Sequence, residues 1–87
     1  MIVAKVWVKF VFLNMSQTGK TRIWEVQTLG SDLVLGSIKW FGKWRRYSFY
    51  PEKDRVFEQN CLRVIADYCE EQTKVQRKLS GLRRKVA

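Results

Sequence analysis

One change of rhythm governs this chain. Up to Pro51 the apolar residues alternate with polar ones, and beyond it they recur every three or four positions. A period of two puts successive side chains on opposite faces of a strand; a period near 3.6 gathers them on one stripe of a helix. No single element satisfies both, so the chain must build a sheet first and a helix second. In Ala4–Leu13, Val6, Val8, Phe10 and Phe12 point one way while Lys5, Trp7 and Lys9 point the other, as in a half-buried strand. Asn14–Gly19, NMSQTG, is rich in turn formers and predicts a hairpin loop. Lys20–Leu29 predicts a second strand, Gly30–Asp32 a tight turn and Leu33–Phe41 a third strand. Gly42–Lys43 then makes a short connection into a fourth strand, Trp44–Tyr50, closed by Pro51, which has no N–H to give a ladder.

After Pro51, Asp54 is the predicted helix N-cap. Cys61, Ile65, Tyr68, Val75, Leu79, Leu82 and Val86 then follow helical steps, with Gln72 as the polar interruption, which predicts a helix over about Val56–Lys85. Such a helix would be about 45 Å long, longer than strands of about 17–27 Å. Only its first half is apolar enough to cover a sheet. The expected fold is therefore α+β: one domain over 1–87, a four-stranded antiparallel sheet followed by one long C-terminal helix (ββββα). One sheet face is covered and the other stays open. Residues 74–87 form a basic end with three readings: a protruding helix that touches phosphates, a short coiled-coil seam, or a frayed terminus.

The charge layout points to an anionic partner. The chain carries a net charge of +9. Residues 1–51 hold eight lysines and arginines against two acids, a balance of +6; residues 52–73 come to −3, and residues 74–87 to +6 with no acid at all. Two basic regions flanking an acidic one suit a ligand bearing phosphates. No stretch has the roughly eighteen apolar residues of a membrane helix, and the alternating N-terminal segment lacks the pattern of a secretory signal. A soluble protein of the cytoplasm is expected, with no membrane partner.

Catalysis and metal binding find little support. The chain has no histidine and only two cysteines, Cys61 and Cys69. On one helix these lie about 12 Å apart along the axis, beyond the roughly 7 Å Cα separation a disulfide tolerates. Gly19-Lys20-Thr21 copies the end of a P-loop, but Asn14 stands where the first glycine is needed, and a strand-like segment follows where the motif needs a helix. The glycine reads better as a hairpin residue at positive φ. Glu25 and Asp32 do not make a convergent set with a base or nucleophile. The expectation is a binding protein with no catalytic residue, no metal and no cofactor.

The strongest local signal is Ile38–Pro51, IKWFGKWRRYSFYP, where six aromatic rings and four cations share fourteen residues. A core wants the rings without the charges, and a solvated face wants the reverse. A surface that stacks on something flat and grips something anionic wants both. By period two, Trp44, Arg46, Ser48 and Tyr50 share one face and Arg45, Tyr47 and Phe49 the other. In the preceding strand Gly36, Ile38 and Trp40 oppose Ser37, Lys39 and Phe41. The candidate ligand-binding residues are Lys39, Trp40, Lys43, Trp44, Arg45, Arg46 and Tyr50. Trp40, Trp44 and Tyr50 stack and the cations neutralise phosphates, with Arg77, Lys78, Arg83 and Arg84 as accessory contacts. Trp and Arg are also enriched at protein–protein hot spots, so a protein interface fits the same residues.

The segments LGSIKWFGKWRRYSFYP and VFEQNCLRVIADYCEEQ resemble a group of small phage and prophage proteins, mostly uncharacterised. The shared pattern falls here on Leu35, Gly36, Ile38, Lys39, Trp40, Trp44, Arg45, Tyr47, Phe49, Pro51, Cys61, Leu62 and Ile65, within about Ile23–Thr73. The resemblance implies a viral origin and carries no activity with it. Small phage proteins often block host defence, by binding a defence protein or by sequestering its nucleotide signal. In topology the chain also looks like the single-strand-binding coactivator and Whirly folds, without a shared motif. The leading expectation is a counter-defence protein that captures a nucleotide-type anion in the cytoplasm of an infected cell. Two alternatives are single-stranded nucleic-acid binding and inhibition of a host protein through the aromatic strand. A homodimer or higher homo-oligomer is expected.

Overall fold

The computed structural model describes residues 2–5 and 8–86, with side chains from 8 to 81. The sheet is antiparallel throughout, in the order β1 (Ile2–Lys5), β2 (Val8–Met15), β3 (Arg22–Thr28), β4 (Val34–Phe41), β5 (Arg46–Pro51). One helix, α1 (Gln59–Val86), follows. The α+β class and the antiparallel sheet ahead of one long helix are as the periodicity predicts. The sheet carries one strand more than expected. The stretch read as a single strand is paired with itself, Val3 opposite Phe10 and Lys5 opposite Val8. Pairing position 5 with position 8 reverses the phase of the alternation, a shift that a reading as one continuous strand does not contain.

Register decides which rings are buried. Phe10 opposes Val26, Trp24 opposes Ile38, and Trp40 opposes Tyr47, so these side chains share one face. α1 lies across that face and contributes Cys61, Ile65 and Tyr68 to the core. The Tyr68 ring stacks on Phe10 at 4.0 Å and meets Trp24 edge-on at 5.4 Å; Trp24 meets Tyr47 edge-on at 5.1 Å. A tightly packed aromatic cluster of this kind adds to simple burial through the ring quadrupoles.

Three local expectations change. The β4–β5 connection is four residues, Gly42–Arg45, not two. Trp44 and Arg45 lie in the turn, both amides bonded to the Phe41 carbonyl at 3.2 and 2.9 Å. The helix begins at Gln59, and its first free amides are met by Glu58, whose carboxylate accepts from the Cys61 N–H. Asp54 sits earlier, in a turn at φ 59°, and caps nothing. Beyond Tyr68 the helix does not continue on the apolar seam of Val75 and Leu79. Val75 is exposed, and the buried residues are Thr73 and Gln76.

Those two polar residues tie the second half of α1 to the sheet. Thr73 Oγ1 donates to the Cys69 carbonyl at 2.7 Å and accepts the Tyr47 N–H at 3.0 Å. Gln76 Nε2 donates to the Lys20 carbonyl at 2.9 Å, and the Tyr47 hydroxyl donates to Gln76 Oε1 at 3.4 Å while accepting the Arg22 N–H at 3.0 Å. Every buried side-chain polar atom described has a partner, as a stable interior requires.

A candidate nucleic-acid interface at the open face and the β4–β5 turn

The face of the sheet away from α1 carries the opposite set of side chains. Ser37 opposes Tyr50, Lys39 opposes Ser48, and Phe41 opposes Arg46. Lys39 Nζ lies 4.5 Å from the centroid of the Tyr50 ring, a cation–π pair across the two strands. At the turn, Trp44 is 64% exposed and leans on Phe41 at 4.6 Å, with the ring planes tilted by 50°. Arg46 is exposed and its Nε donates to the Trp44 carbonyl at 3.4 Å, and Lys43 is exposed beside it. Tyr50, Phe41 and Trp44 thus run along the β4–β5 end of the open face, with Lys39, Lys43 and Arg46 among them.

The rest of this face is electrostatically settled. Lys9 pairs with Asp32, and Gln27 donates to Glu25 at 2.6 Å. Among the described residues the other ion pair is Lys74–Glu70, on the helix surface. Lys39, Lys43 and Arg46 have no carboxylate partner there, so their charge is available to an incoming anion.

Two predicted ligand residues, Trp40 and Arg45, stand on the helix side instead. Trp40 is half-buried and meets Tyr47 edge-on at 5.2 Å. The carbonyl of Arg45, a residue at φ 53°, faces α1 and accepts from Arg77 Nη2 at 3.2 Å. Together with Gly42, Arg77, Ser80 and Gly81 they line a cleft of about 580 Å³. Lys78 is exposed further along the helix; the side chains of Arg83 and Arg84 lie outside the described residues. The predicted set is therefore divided between two sides of one turn.

Thr73 and Gln76 have no place in the sequence-based site, yet they hold β5 and the Lys20 carbonyl of the β2–β3 connection against the helix. Their signal was present: Ile65, Cys69, Thr73 and Gln76 keep helical spacing, but polarity disguised it as solvent-facing surface.

A larger cavity of about 700 Å³ lies between β5 and α1, lined by Phe49, Leu62, Ala66 and Cys69 among others. Burial pushes the Cys69 thiol up to about 11, and burial followed by the nearby Glu58 carboxylate raises that of Cys61. Both are protonated at neutral pH, which makes them poor nucleophiles. Among the described residues no three His, Cys, Asp or Glu side chains cluster to hold a metal. No helix is long and apolar enough to cross a membrane.

No family model matches the chain, and no solved structure matches it. It is similar to an "Uncharacterized 9.3 kDa protein" of Acholeplasma phage L2, with 34% identity over 59 residues that span 66% of this chain and 74% of the relative. At that identity, over most of the relative's length, the chain belongs to the same family of small phage proteins as the phage L2 protein.

Proposed function

We propose that the chain is a non-catalytic phage protein that binds single-stranded nucleic acid on its open sheet face, in the cytoplasm of the infected cell. The supporting observation is the strip of Tyr50, Phe41 and Trp44 interleaved with the unpaired cations Lys39, Lys43 and Arg46. Bases stack on exposed rings for about 1–3 kcal/mol each, whatever their identity, while the cations follow the backbone. The strip lies on the sheet face that the helix does not cover, which suits an extended strand better than an enclosed small molecule. Counter-defence is the role that a phage family and such a ligand suggest together.

Fluorescence anisotropy with labelled oligonucleotides over a salt series tests this. Three phosphate contacts predict a slope of about −2 in log affinity against log salt, at about 0.7 per contact on a single strand. Absence of binding at low salt overturns the reading and leaves a host protein as the partner of the aromatic strip. Nucleotide capture, the other anion-binding reading, is favoured by one separate feature: the cleft that holds Trp40, Arg45 and Arg77.

Self-association belongs to the same proposal. Gln59–Thr73 of α1 carries one cation and three acids, and residues 74–87 carry six cations and none. Two such helices side by side and antiparallel match opposite charges.

A further inference from the structure

The cleft between the β4–β5 turn and α1 is a distinct site from the open face. Its walls are an indole from Trp40, the guanidinium-bearing residues Arg45 and Arg77, the Ser80 residue and two glycines, Gly42 and Gly81. A Cβ added at either glycine would meet nothing within 4 Å, so the space beside them is open. Among the described residues neither arginine pairs with a carboxylate. Like charges are thus brought to one concave site without a counterion, an arrangement that an anion relieves. Arg77 spends one of its five donors on the Arg45 carbonyl, which ties helix to turn and leaves the rest of the fork free. Arg45 holds a left-handed backbone at φ 53°, a conformation glycine adopts at lower cost. Ser80 and Gly81 lie before the last turn of α1, which ends at Val86, so the negative end of the helix dipole is largely spent beyond them.

We infer that this cleft receives a terminal phosphomonoester, with Arg45 and Arg77 on the phosphate and the adjoining sugar or base against the edge of Trp40. A monoester carries between one and two negative charges at neutral pH and matches two guanidiniums, which bind phosphate oxygens in pairs. An internal phosphodiester carries one charge. The inference rests on the nucleic-acid reading where the monoester is the end of a strand. A free nucleotide offers the same chemistry. Because the turn carries Trp44 on the open face and Arg45 in the cleft, one strand bound on the face ends naturally at the site.

The test compares one single-stranded oligonucleotide with a 5′-phosphate and with a 5′-hydroxyl, against the full chain at fixed salt, with adenosine monophosphate as competitor. The phosphorylated strand is expected to bind roughly tenfold tighter, the range of a two-charge contact. Arg45→Gly, which removes the cation and eases the backbone, is expected to reduce that preference to nearly nothing without lowering the melting temperature. Arg77→Gln is the second variant and should do the same. Loss of the preference on adding the monophosphate identifies a site that also takes free nucleotides; persistence assigns it to strand ends. Equal affinity for the two strands overturns the cleft inference and leaves the open-face reading intact. Binding of the monophosphate without binding of either strand does the opposite.

Discussion

Both faces of the sheet carry rings, more of them under the helix, and the two faces treat them differently. Under α1, Phe10, Trp24 and Tyr47 of the sheet pack with Tyr68 of the helix, and the Tyr47 hydroxyl and the Gln76 amide are hydrogen-bonded. On the open face, Tyr50 is met by Lys39, and Phe41 and Trp44 sit among Lys43 and Arg46. An aromatic residue is therefore core or open surface according to its neighbours, not its type. Rings surrounded by rings stabilise the fold. Rings beside unpaired cations are the ones that the proposed strand binding would use.

That contrast can be broken from either side. Phe10→Ala should have the largest effect, removing a fully buried ring and costing about 3–5 kcal/mol. Chemical denaturation should show the loss, and the folded fraction should still bind oligonucleotides. Gln76→Ala should cost about 1–3 kcal/mol, because the Lys20 carbonyl and the Tyr47 hydroxyl lose a buried partner. If the melting temperature does not move, the polar clamp is not what holds the second half of α1. Tyr50→Ala and Trp44→Ala should each weaken strand binding by about 1–3 kcal/mol and leave stability within about 0.5 kcal/mol. A loss of stability with binding unchanged would make these rings structural and erase the distinction between the faces.

The smallest effect is on pH. Burial raises the acid groups of Tyr47, Tyr68 and Cys69 on the covered side, the last from its ordinary 9.0 to about 11. A raised folded-state value means the unfolded chain releases its proton first, so stability is intact below the unfolded value and declines as pH climbs. Thermal melts should be flat with respect to these groups up to about pH 9 and decline toward about pH 11. A thiol that alkylates rapidly at neutral pH in the folded protein would contradict the burial of Cys69.

Much of this architecture was legible in the residues. The change from period two to helical spacing placed the sheet before the helix, and parity sorted Lys39, Phe41, Arg46 and Tyr50 away from Ile38, Tyr47 and Phe49. Gly36 also has a physical reason. A Cβ there would press on the Tyr50 carbonyl and come within 2.7 Å of the Phe49 ring, so β4 and β5 approach closely only over a glycine. What the sequence concealed was pairing rather than propensity. Val3 opposite Phe10 is a hairpin that alternation cannot announce. Trp44 and Arg45 look like strand residues until the amides of both bond to Phe41. Thr73 and Gln76 look solvent-facing until they meet Tyr47 and Lys20. Each depends on a partner distant in the chain, which local pattern does not encode.

The most direct test is to map amide chemical shifts of the isotopically labelled chain as a short single-stranded oligonucleotide is added. Binding on the open face should shift Lys39, Phe41, Lys43, Trp44, Arg46 and Tyr50 together, while core positions such as Val26 and Ile65 stay still. Shifts confined to Leu62, Ala66 and Cys69 of α1, with the open face silent, would contradict binding there.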